Sequence, residues 1–336
     1  MNVCRPGRVA WGFDIILIII SSLFAFSLAT VITPLPTLSE TLARDSQALR
    51  QALRLDPREA RLEGQILLCR ALGVARSYLV SHDRDALTAE QEAAHAALLA
   101  RRLAGEPMAY ILGTREFHGL AFRTTAAVLI PRPETELLVE LALERIPPNA
   151  PCAVLDLGTG SGAIAISLAH QRPLASVTAV DQSPEALAVA LDNARILGAT
   201  NLRLLRSDWF SALGEEKFDV IVSNPPYIAA ADPHLRLGDL RFEPLSALAS
   251  GADGLDAIRV IVPAARAHLN PGGWLLFEHG YDQGERCREL LRAHGFIRVE
   301  TAPDLAGIGR VSIGMWKPDT KRLIYANINL IDREHP

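Results

Sequence analysis

One loop of the sequence, Asn224-Pro225-Pro226-Tyr227, could hold a planar amino group. The Asn224 side chain offers a carbonyl acceptor, and the two prolines fix the backbone and remove two N–H donors. Tyr227 adds an aromatic face. If Asn224 and the Pro225 carbonyl accept the hydrogens of an –NH2 group, its nitrogen is left facing an electrophile. Asn224, Pro225 and Tyr227 are therefore candidate catalytic residues, and the whole loop is a candidate substrate site. The alternative is a rigid loop with no chemistry.

A glycine-rich turn follows the apolar segment Val154–Leu157. Glycines allow positive φ angles and let the backbone approach a ligand closely. The spacing is G-x-G-x-G, so the dinucleotide fingerprint G-x-G-x-x-G is not met, and such a turn could also cradle a pyrophosphate. The residues of this turn are candidates for binding a cofactor: Gly158, Thr159, Gly160, Ser161 and Gly162.

Asp181 and Trp209, which lie further along the chain, could complete a nucleoside site. Asp181 ends an apolar segment, where an acid can accept hydrogen bonds from ribose hydroxyls. The alternative is a helix N-cap, because Ser183-Pro184-Glu185 begins a helix. Trp209 could flank an adenine ring or simply pack at the rim. Asn224 is also counted among the candidates that contact the cofactor.

An open parallel sheet would bring these groups together. A strand is predicted over Phe218–Ser223, directly before Asn224, and others over Ser176–Asp181 and Leu202–Arg206. These strands alternate with helical patterns, which is typical of α/β proteins. Because such sheets bind ligands at the carboxyl ends of their strands, we expect the glycine turn, Asp181 and Asn224 to share one edge.

The first part of the chain has a different pattern. Residues 39–104 are predicted to be helical, with helix starts at Asp56-Pro57 and at a capping box over Thr88–Gln91. Two short strands are expected around His118-Gly119, and then a helix over Thr135–Arg145. The helical part could dock a substrate or could stabilise a cap over the cofactor pocket.

These motifs resemble the class I S-adenosylmethionine-dependent methyltransferases. From Leu38 to Trp316 the chain closely resembles the HemK/PrmC family, which methylates glutamine in peptide chain release factors. Besides the two loops, the matching stretches are Arg102–Gly113, Arg115–Phe122, Val128–Glu136, Ser207–Leu213, Arg241–Leu245 and Phe277–Gly280. The resemblance implies an α/β, Rossmann-like fold with a mainly parallel seven-stranded sheet, whose last strand enters antiparallel, after a small N-terminal helical domain.

The resemblance also implies the reaction. S-adenosylmethionine would be the cofactor, and a methyl group would pass to the side-chain amide nitrogen of the glutamine in a Gly-Gly-Gln motif of release factors. Phe117, Arg132 and Glu134 would line the pocket. Three alternatives remain open: glutamine methylation of a ribosomal protein, methylation of an adenine amine in nucleic acid, and a non-catalytic binding protein. The sequence over Ile130–Glu136 favours the release-factor enzyme over the ribosomal-protein enzyme.

The composition and the motifs together predict a division into five parts. These are an apolar leader over 1–38, a helical substrate-docking domain over 39–110, a β-hairpin linker over 111–134, a methyltransferase domain over 135–317 and an atypical tail over 318–336.

Charge and cysteine content restrict the class of protein. Residues 106–317 hold 19 Lys and Arg against 25 Asp and Glu, so the basic surface of a duplex binder is not expected, and a protein substrate fits better. The 4 cysteines form no C-x-x-C pair, which favours a reduced cytoplasmic protein without a metal. His118 and His279 are interpreted as a turn residue and a strand-end residue.

The leader contains an uncharged apolar run over Ile15–Ile32, preceded by Arg5 and Arg8. By length the run could be a marginal membrane helix or the apolar part of a signal peptide. Its Ile-rich composition differs from the Ala- and Arg-rich body, so we interpret it as upstream sequence translated from a misassigned start, and the tail as a foreign extension. A membrane is expected as a partner only if this run is a real anchor.

Overall fold

The structure is a computed structural model that describes Met1 and residues 35–317. The predictions for the run Ile15–Ile32 and for the tail fall outside these residues. Within the described part of the chain, no helix is long and apolar enough to cross a membrane.

Five helices form the first part of the described chain. They are α1 (Leu38–Leu53), α2 (Pro57–Leu72), α3 (Arg76–Ser81), α4 (Ala89–Leu103) and α5 (Met108–Leu112). Asp56 caps α2, and a capping box between Thr88 and Gln91 starts α4, which confirms both predicted helix starts. A second capping box, between Thr37 and Glu40, starts α1. The helical fold therefore begins at Thr37, two residues before the predicted boundary.

The helices pack through leucine-rich clusters and one largely buried ion pair. One cluster consists of Leu49, Ala60, Leu67, Leu99 and Ile111. Arg102 of α4 donates two hydrogen bonds to Glu63 of α2, at 2.8 and 2.9 Å. A paired guanidinium and carboxylate fix the relative position of the two helices more specifically than apolar contact does.

A β-hairpin links the helices to the sheet. Strands β1 (Thr114–Phe117) and β2 (Leu120–Arg123) pair antiparallel around a turn at His118-Gly119, as predicted. Asn193 attaches the hairpin to the glycine-rich turn, because it bonds both the N–H and the C=O of Arg123 and also donates to the Ser161 carbonyl.

A seven-stranded sheet forms the rest of the fold. Its strands are β3 (Cys152–Leu157), β4 (Ala175–Asp181), β5 (Leu202–Arg206), β6 (Phe218–Ser223), β7 (Leu269–Glu278), β8 (Phe296–Pro303) and β9 (Gly309–Trp316). Its helices are α6 (Glu136–Leu143), α7 (Ala163–Gln171), α8 (Pro184–Ile196), α9 (Asp256–His268) and α10 (Gly284–Ala293).

The strands follow the order β5-β4-β3-β6-β7-β9-β8. Strands β3 to β7 pair in parallel, whereas β9 pairs antiparallel with both β7 and β8. This confirms the predicted seven-stranded, mainly parallel sheet with an antiparallel last strand. The central strands are apolar on both faces because helices cover both, as the buried residues Leu155, Val220 and Ile221 illustrate.

Candidate active site

A single cavity of about 350 Å³ lies at the carboxyl ends of β3, β4 and β6, and it contains both predicted motifs. This volume is within the range of small-molecule sites. The predicted site residues that line it are Gly158, Thr159, Gly160, Ser161, Asp181, Trp209, Asn224 and Pro226, together with Phe117 and Arg132. Because the strands are parallel, segments from distant parts of the sequence meet at this edge.

The glycine-rich turn forms one wall of the cavity mainly with its backbone. The N–H groups of Gly158 and Thr159 both donate to the Val180 carbonyl at 2.9 Å, which joins the turn to the next strand. Gly160 has a φ of 55°, and a Cβ atom there would meet no heavy atom within 4 Å. The turn therefore leaves open space above its backbone. Gly162 starts α7 and is not among the residues that line the cavity.

Asp181 connects this turn to the beginning of α8. One carboxylate oxygen accepts the Gly160 N–H at 2.9 Å, and the other accepts the Ser183 N–H at 2.9 Å. The helix cap is Ser183, whose hydroxyl oxygen accepts the Ala186 N–H. Asp181 therefore lies on the cavity wall without capping α8 itself, and each carboxylate oxygen has a second lone pair for a ligand hydroxyl. Its binding to ribose stays a prediction.

Below the turn, Asp156 is fully buried near the end of β3. Burial raises the pKa of its carboxyl to about 7, although the hydrogen bond that Thr159 donates to it at 2.7 Å opposes this rise. The group therefore changes charge near neutral pH, directly beneath the backbone that forms the cavity wall.

Trp209 lies on the same side of the cavity. Its φ of 46° is unusual for a residue with a side chain, and the Ser207 hydroxyl stabilises this bend by donating to the Trp209 carbonyl at 2.8 Å. The indole ring would be 3.7 Å from a Cβ on Gly158. Asp208 also lines the cavity, although sequence analysis assigned it no role.

The opposite wall contains a chain of side-chain hydrogen bonds. The Asn224 amide nitrogen donates to the Thr135 hydroxyl at 3.0 Å, and that hydroxyl donates to Glu278 Oε2 at 2.7 Å. The Tyr227 hydroxyl donates to Glu278 Oε1 at 2.9 Å. Among the described residues, no donor contacts Asn224 Oδ1 or the Pro225 carbonyl. The two acceptors expected to bind an amino group are therefore available.

Burial shifts the pKa values of two groups in this wall, Glu278 and Tyr227. It raises the pKa of Glu278, while the hydrogen bonds from Thr135 and Tyr227 lower that pKa and so favour the carboxylate. Burial and the nearby Glu278 charge also raise the pKa of the Tyr227 phenol. Tyr227 is therefore a neutral donor at physiological pH.

Not every predicted site residue reaches the cavity. Pro225, Tyr227 and Glu134 are not among the residues that line it, and Glu134 is exposed on the turn before α6. Arg132 does line the cavity, and its guanidinium forms an ion pair with the buried Glu243. The catalytic roles of Pro225 and Tyr227 stay predictions, since the structure gives only their positions.

His118 and His279 lie where the sequence interpretation placed them, in a turn and at a strand end. His118 is in the hairpin turn with a φ of 49°, and its N–H donates to Glu136. His279 directly follows β7 and is fully buried, and burial lowers its pKa. Within residues 35–317, no group of three His, Cys, Asp or Glu side chains is arranged to hold a metal ion.

A loop over residues 233–247 borders the cavity and also contacts the helical part of the chain. Pro244, Ser246 and Ala247 line the cavity. Arg102 of α4 bonds Asp239 at 3.3 Å, and Arg241 donates to the Ala104 carbonyl at 3.0 Å. The helical part is therefore connected to a segment that lines the cavity.

Sequence analysis missed Thr135 and Glu278 as members of this site. Glu278 did carry a signal, since it is an acid at the end of the apolar run Trp274–Phe277, next to the strand that precedes Asn224. Thr135 carried none, because it lies 89 residues before Asn224 and 143 before Glu278.

Two family models and several curated relatives match this chain. Residues 134–240 match the family model "Methyltransferase small domain", and residues 40–113 match "PrmC N-terminal domain". A release factor glutamine methyltransferase of Burkholderia pseudomallei is 54% identical over 270 residues, which are 79% of this chain and 94% of that protein.

The corresponding protein of Salmonella typhimurium is 49% identical over 263 residues, 78% of this chain and 95% of that protein. Among solved structures, a protein-(glutamine-N5) methyltransferase (release factor-specific) from Alicyclobacillus acidocaldarius is 31% identical with a TM-score of 0.35, covering 59% of this chain and 100% of that chain. At about half identity over nearly the whole length of the two curated relatives, the chain belongs to the family of release factor glutamine methyltransferases.

Proposed function

We propose that this enzyme transfers a methyl group from S-adenosylmethionine to the side-chain amide nitrogen of the glutamine in the Gly-Gly-Gln motif of peptide chain release factors. The observation that carries the proposal is the cavity itself. One wall is a glycine-rich turn joined to Asp181, and the other presents the unpaired Asn224 carbonyl. A cofactor and an amide substrate therefore have adjacent places in one site.

The cofactor wall fits S-adenosylmethionine. The open space above Gly160 admits a ligand close to the backbone, Asp181 offers lone pairs to a ribose diol, and Trp209 offers a flat face to adenine. Asp208 and Glu185 make the same cavity acidic, which suits a cationic ligand. When bound, the cofactor supplies an electrophilic methyl group on a sulfonium.

The acceptor wall must activate an amide, whose nitrogen is a poor nucleophile because its lone pair is delocalised. Asn224 Oδ1 and the Pro225 carbonyl can each accept one hydrogen of the substrate –NH2 group. These two hydrogen bonds orient the nitrogen and stabilise the positive charge that develops on it during transfer. Tyr227 and Pro226 hold the loop in this form, and the proton leaves to water after transfer.

The helical part, with its matched N-terminal family model, supports a protein substrate. Its contacts with the loop over residues 233–247 would connect a bound protein substrate to a segment that lines the cavity. A cytoplasmic enzyme is consistent with the free thiols of Cys69, Cys152 and Cys287.

The direct test is mass spectrometry of a release-factor digest after incubation with enzyme and S-adenosylmethionine. We expect one added methyl group on the glutamine of the Gly-Gly-Gln peptide, formed at a rate lower by a factor on the order of 10²–10³ when Asn224→Ala replaces the wild type. A release factor with that glutamine changed to alanine is the substrate control. Methylation of an adenine-containing oligonucleotide or of a ribosomal protein, with the release factor unmodified, would overturn the proposal.

A further inference from the structure

Three segments far apart in the sequence form the hydrogen-bonded chain behind Asn224. Thr135 precedes α6, Asn224 and Tyr227 follow β6, and Glu278 ends β7. Thr135 and Glu278 have only 4% and 1% of their surface exposed. Thr135 also lines the cavity, so this buried polar pairing lies at the edge of the site itself.

The pairing determines which way the Asn224 amide faces. An asparagine amide has a donor end and an acceptor end of nearly the same shape, so packing alone does not select between them. The Glu278 carboxylate can only accept hydrogen bonds, so the Thr135 hydroxyl must donate its hydrogen to Glu278. Thr135 is then left as an acceptor, and it can pair only with the NH2 end of Asn224.

The orientation has a chemical consequence at the cavity. With its NH2 end on Thr135, Asn224 turns its carbonyl oxygen toward the substrate; in the reverse orientation its NH2 group would face the substrate hydrogen that this oxygen should accept. An ionised Glu278 also polarises the hydrogen bonds of the chain, which strengthens the carbonyl oxygen as an acceptor. Tyr227 occupies the second carboxylate oxygen and so prevents its rotation.

We propose that Thr135 and Glu278 are positioning residues that fix the Asn224 carbonyl toward the substrate amide. The inference rests on the proposed function, since it explains how that reaction's acceptor is oriented. It assigns a role in methyl transfer to two residues outside the Asn-Pro-Pro-Tyr loop.

Two substitutions at one position separate orientation from packing. Thr135→Val keeps the shape of the side chain but removes the hydroxyl, whereas Thr135→Ser keeps the hydroxyl and removes a methyl group. With a release factor as substrate, we expect kcat of Thr135→Val to fall about 30-fold or more, because the Asn224 amide loses its fixed orientation. Thr135→Ser should retain at least about a third of wild-type kcat, and the Kd of S-adenosylhomocysteine should stay within about threefold in both.

A second measurement does not depend on activity. Hydrogen exchange of the Asn224 side-chain NH2 group can be followed by NMR, with its signals assigned by their loss in Asn224→Asp. We expect the wild type and Thr135→Ser to protect this group, and Thr135→Val to exchange it about tenfold faster or more. Equal exchange in Thr135→Val and Thr135→Ser would overturn the inference.

The two measurements distinguish failure of the inference from failure of the function. If the wild type methylates the release factor and Thr135→Val does so as fast as Thr135→Ser, the positioning role is wrong and the function stands. If the wild type transfers no methyl group to the release factor while the exchange difference is present, the proposed function is wrong and the orientation of Asn224 by Thr135 stands.

Discussion

The two walls of the cavity are built in different ways. The cofactor wall is more local and depends on the backbone: its turn runs from Gly158 to Ser161, and the carboxylate that holds it, Asp181, lies 21 residues after Gly160. The acceptor wall consists of side chains, and its hydrogen bonds join residues 51, 89 and 143 positions apart.

Because the two walls are built differently, they should respond differently to substitutions. Backbone N–H groups keep their positions as long as the turn folds, so the cofactor wall depends on its glycines and on one carboxylate. The acceptor wall depends on every member of its chain, because each hydroxyl or amide orients the next one. We therefore expect damage to the cofactor wall to appear in cofactor affinity, and damage to the acceptor wall to appear in kcat.

The largest effect should come from the acceptor wall. Asn224→Ala removes the carbonyl expected to bind the substrate amide, and the loss of one such contact reduces the rate by a factor on the order of 10²–10³. Calorimetry with S-adenosylhomocysteine should give a Kd within a few fold of the wild type. A variant with normal turnover would show that Asn224 does not hold the substrate.

The matching change in the cofactor wall is Asp181→Ala. Removing a charged acceptor from the ribose should weaken cofactor binding by about 1.5–3 kcal/mol, or roughly 10- to 150-fold in Kd. Turnover at saturating cofactor should change much less than the affinity. Calorimetry is again the measurement, and an unchanged Kd would mean that Asp181 only joins the turn to Ser183.

A smaller effect, with its own pH signature, is expected for Glu278→Gln. An amide has one acceptor oxygen where the carboxylate has two, so Thr135 and Tyr227 can no longer each donate to an oxygen of their own, and kcat at pH 8 should fall about tenfold. In the wild type, kcat should decrease as the pH drops through the pKa of Glu278, which burial raises above 4.5. The variant should lack this acidic limb.

Through Glu278, a rise in pH should lower the stability of the fold while it raises kcat. Because the pKa of Glu278 is raised in the fold, its contribution to stability is present below the ordinary pKa of 4.5 and is lost as the pH rises through the raised value. Glu278→Gln carries no such charge, so its Tm should show a weaker fall from acid to neutral pH than the wild type. Arg310 and Glu134 act on the same carboxyl and are left unchanged. Identical pH profiles of kcat in the wild type and in Glu278→Gln would refute the assignment of the acidic limb to Glu278.

The smallest effect should come from a region outside both walls. A variant lacking residues 2–34 keeps the Thr37 capping box of α1, whereas one lacking residues 2–37 loses it. We expect both to be active and more soluble than the full chain, with the shorter protein about 1 kcal/mol less stable by urea unfolding. Loss of kcat in both variants would contradict our interpretation of the apolar leader as dispensable.

Much of the cofactor wall could be predicted because its signals are local. The apolar strands, the glycine spacing and the acid that ends β4 are all contiguous in sequence, and the structure places them at one edge of the sheet. The helix caps at Asp56 and Thr88 were predictable for the same reason, since a cap involves residues only three positions apart.

The acceptor wall could be predicted only in part. The loop that begins at Asn224 was visible as a motif, but the position of the Tyr227 hydroxyl was not, because it depends on the strand that lies beside β6. Thr135 was assigned to a helix, although it lies in the turn just before α6, where its side chain can reach the buried carboxylate.

The sequence by itself determined the elements, their order and the two loops that carry the chemistry, because strand patterns, glycine turns and proline-fixed loops act over a few residues. Only the tertiary structure decided that Asn224 faces the cavity with its carbonyl free. That orientation depends on where Thr135 and Glu278 place their hydrogen-bonding atoms, and these positions are set by the pairing of β6 with β7 and by the packing of the turn before α6.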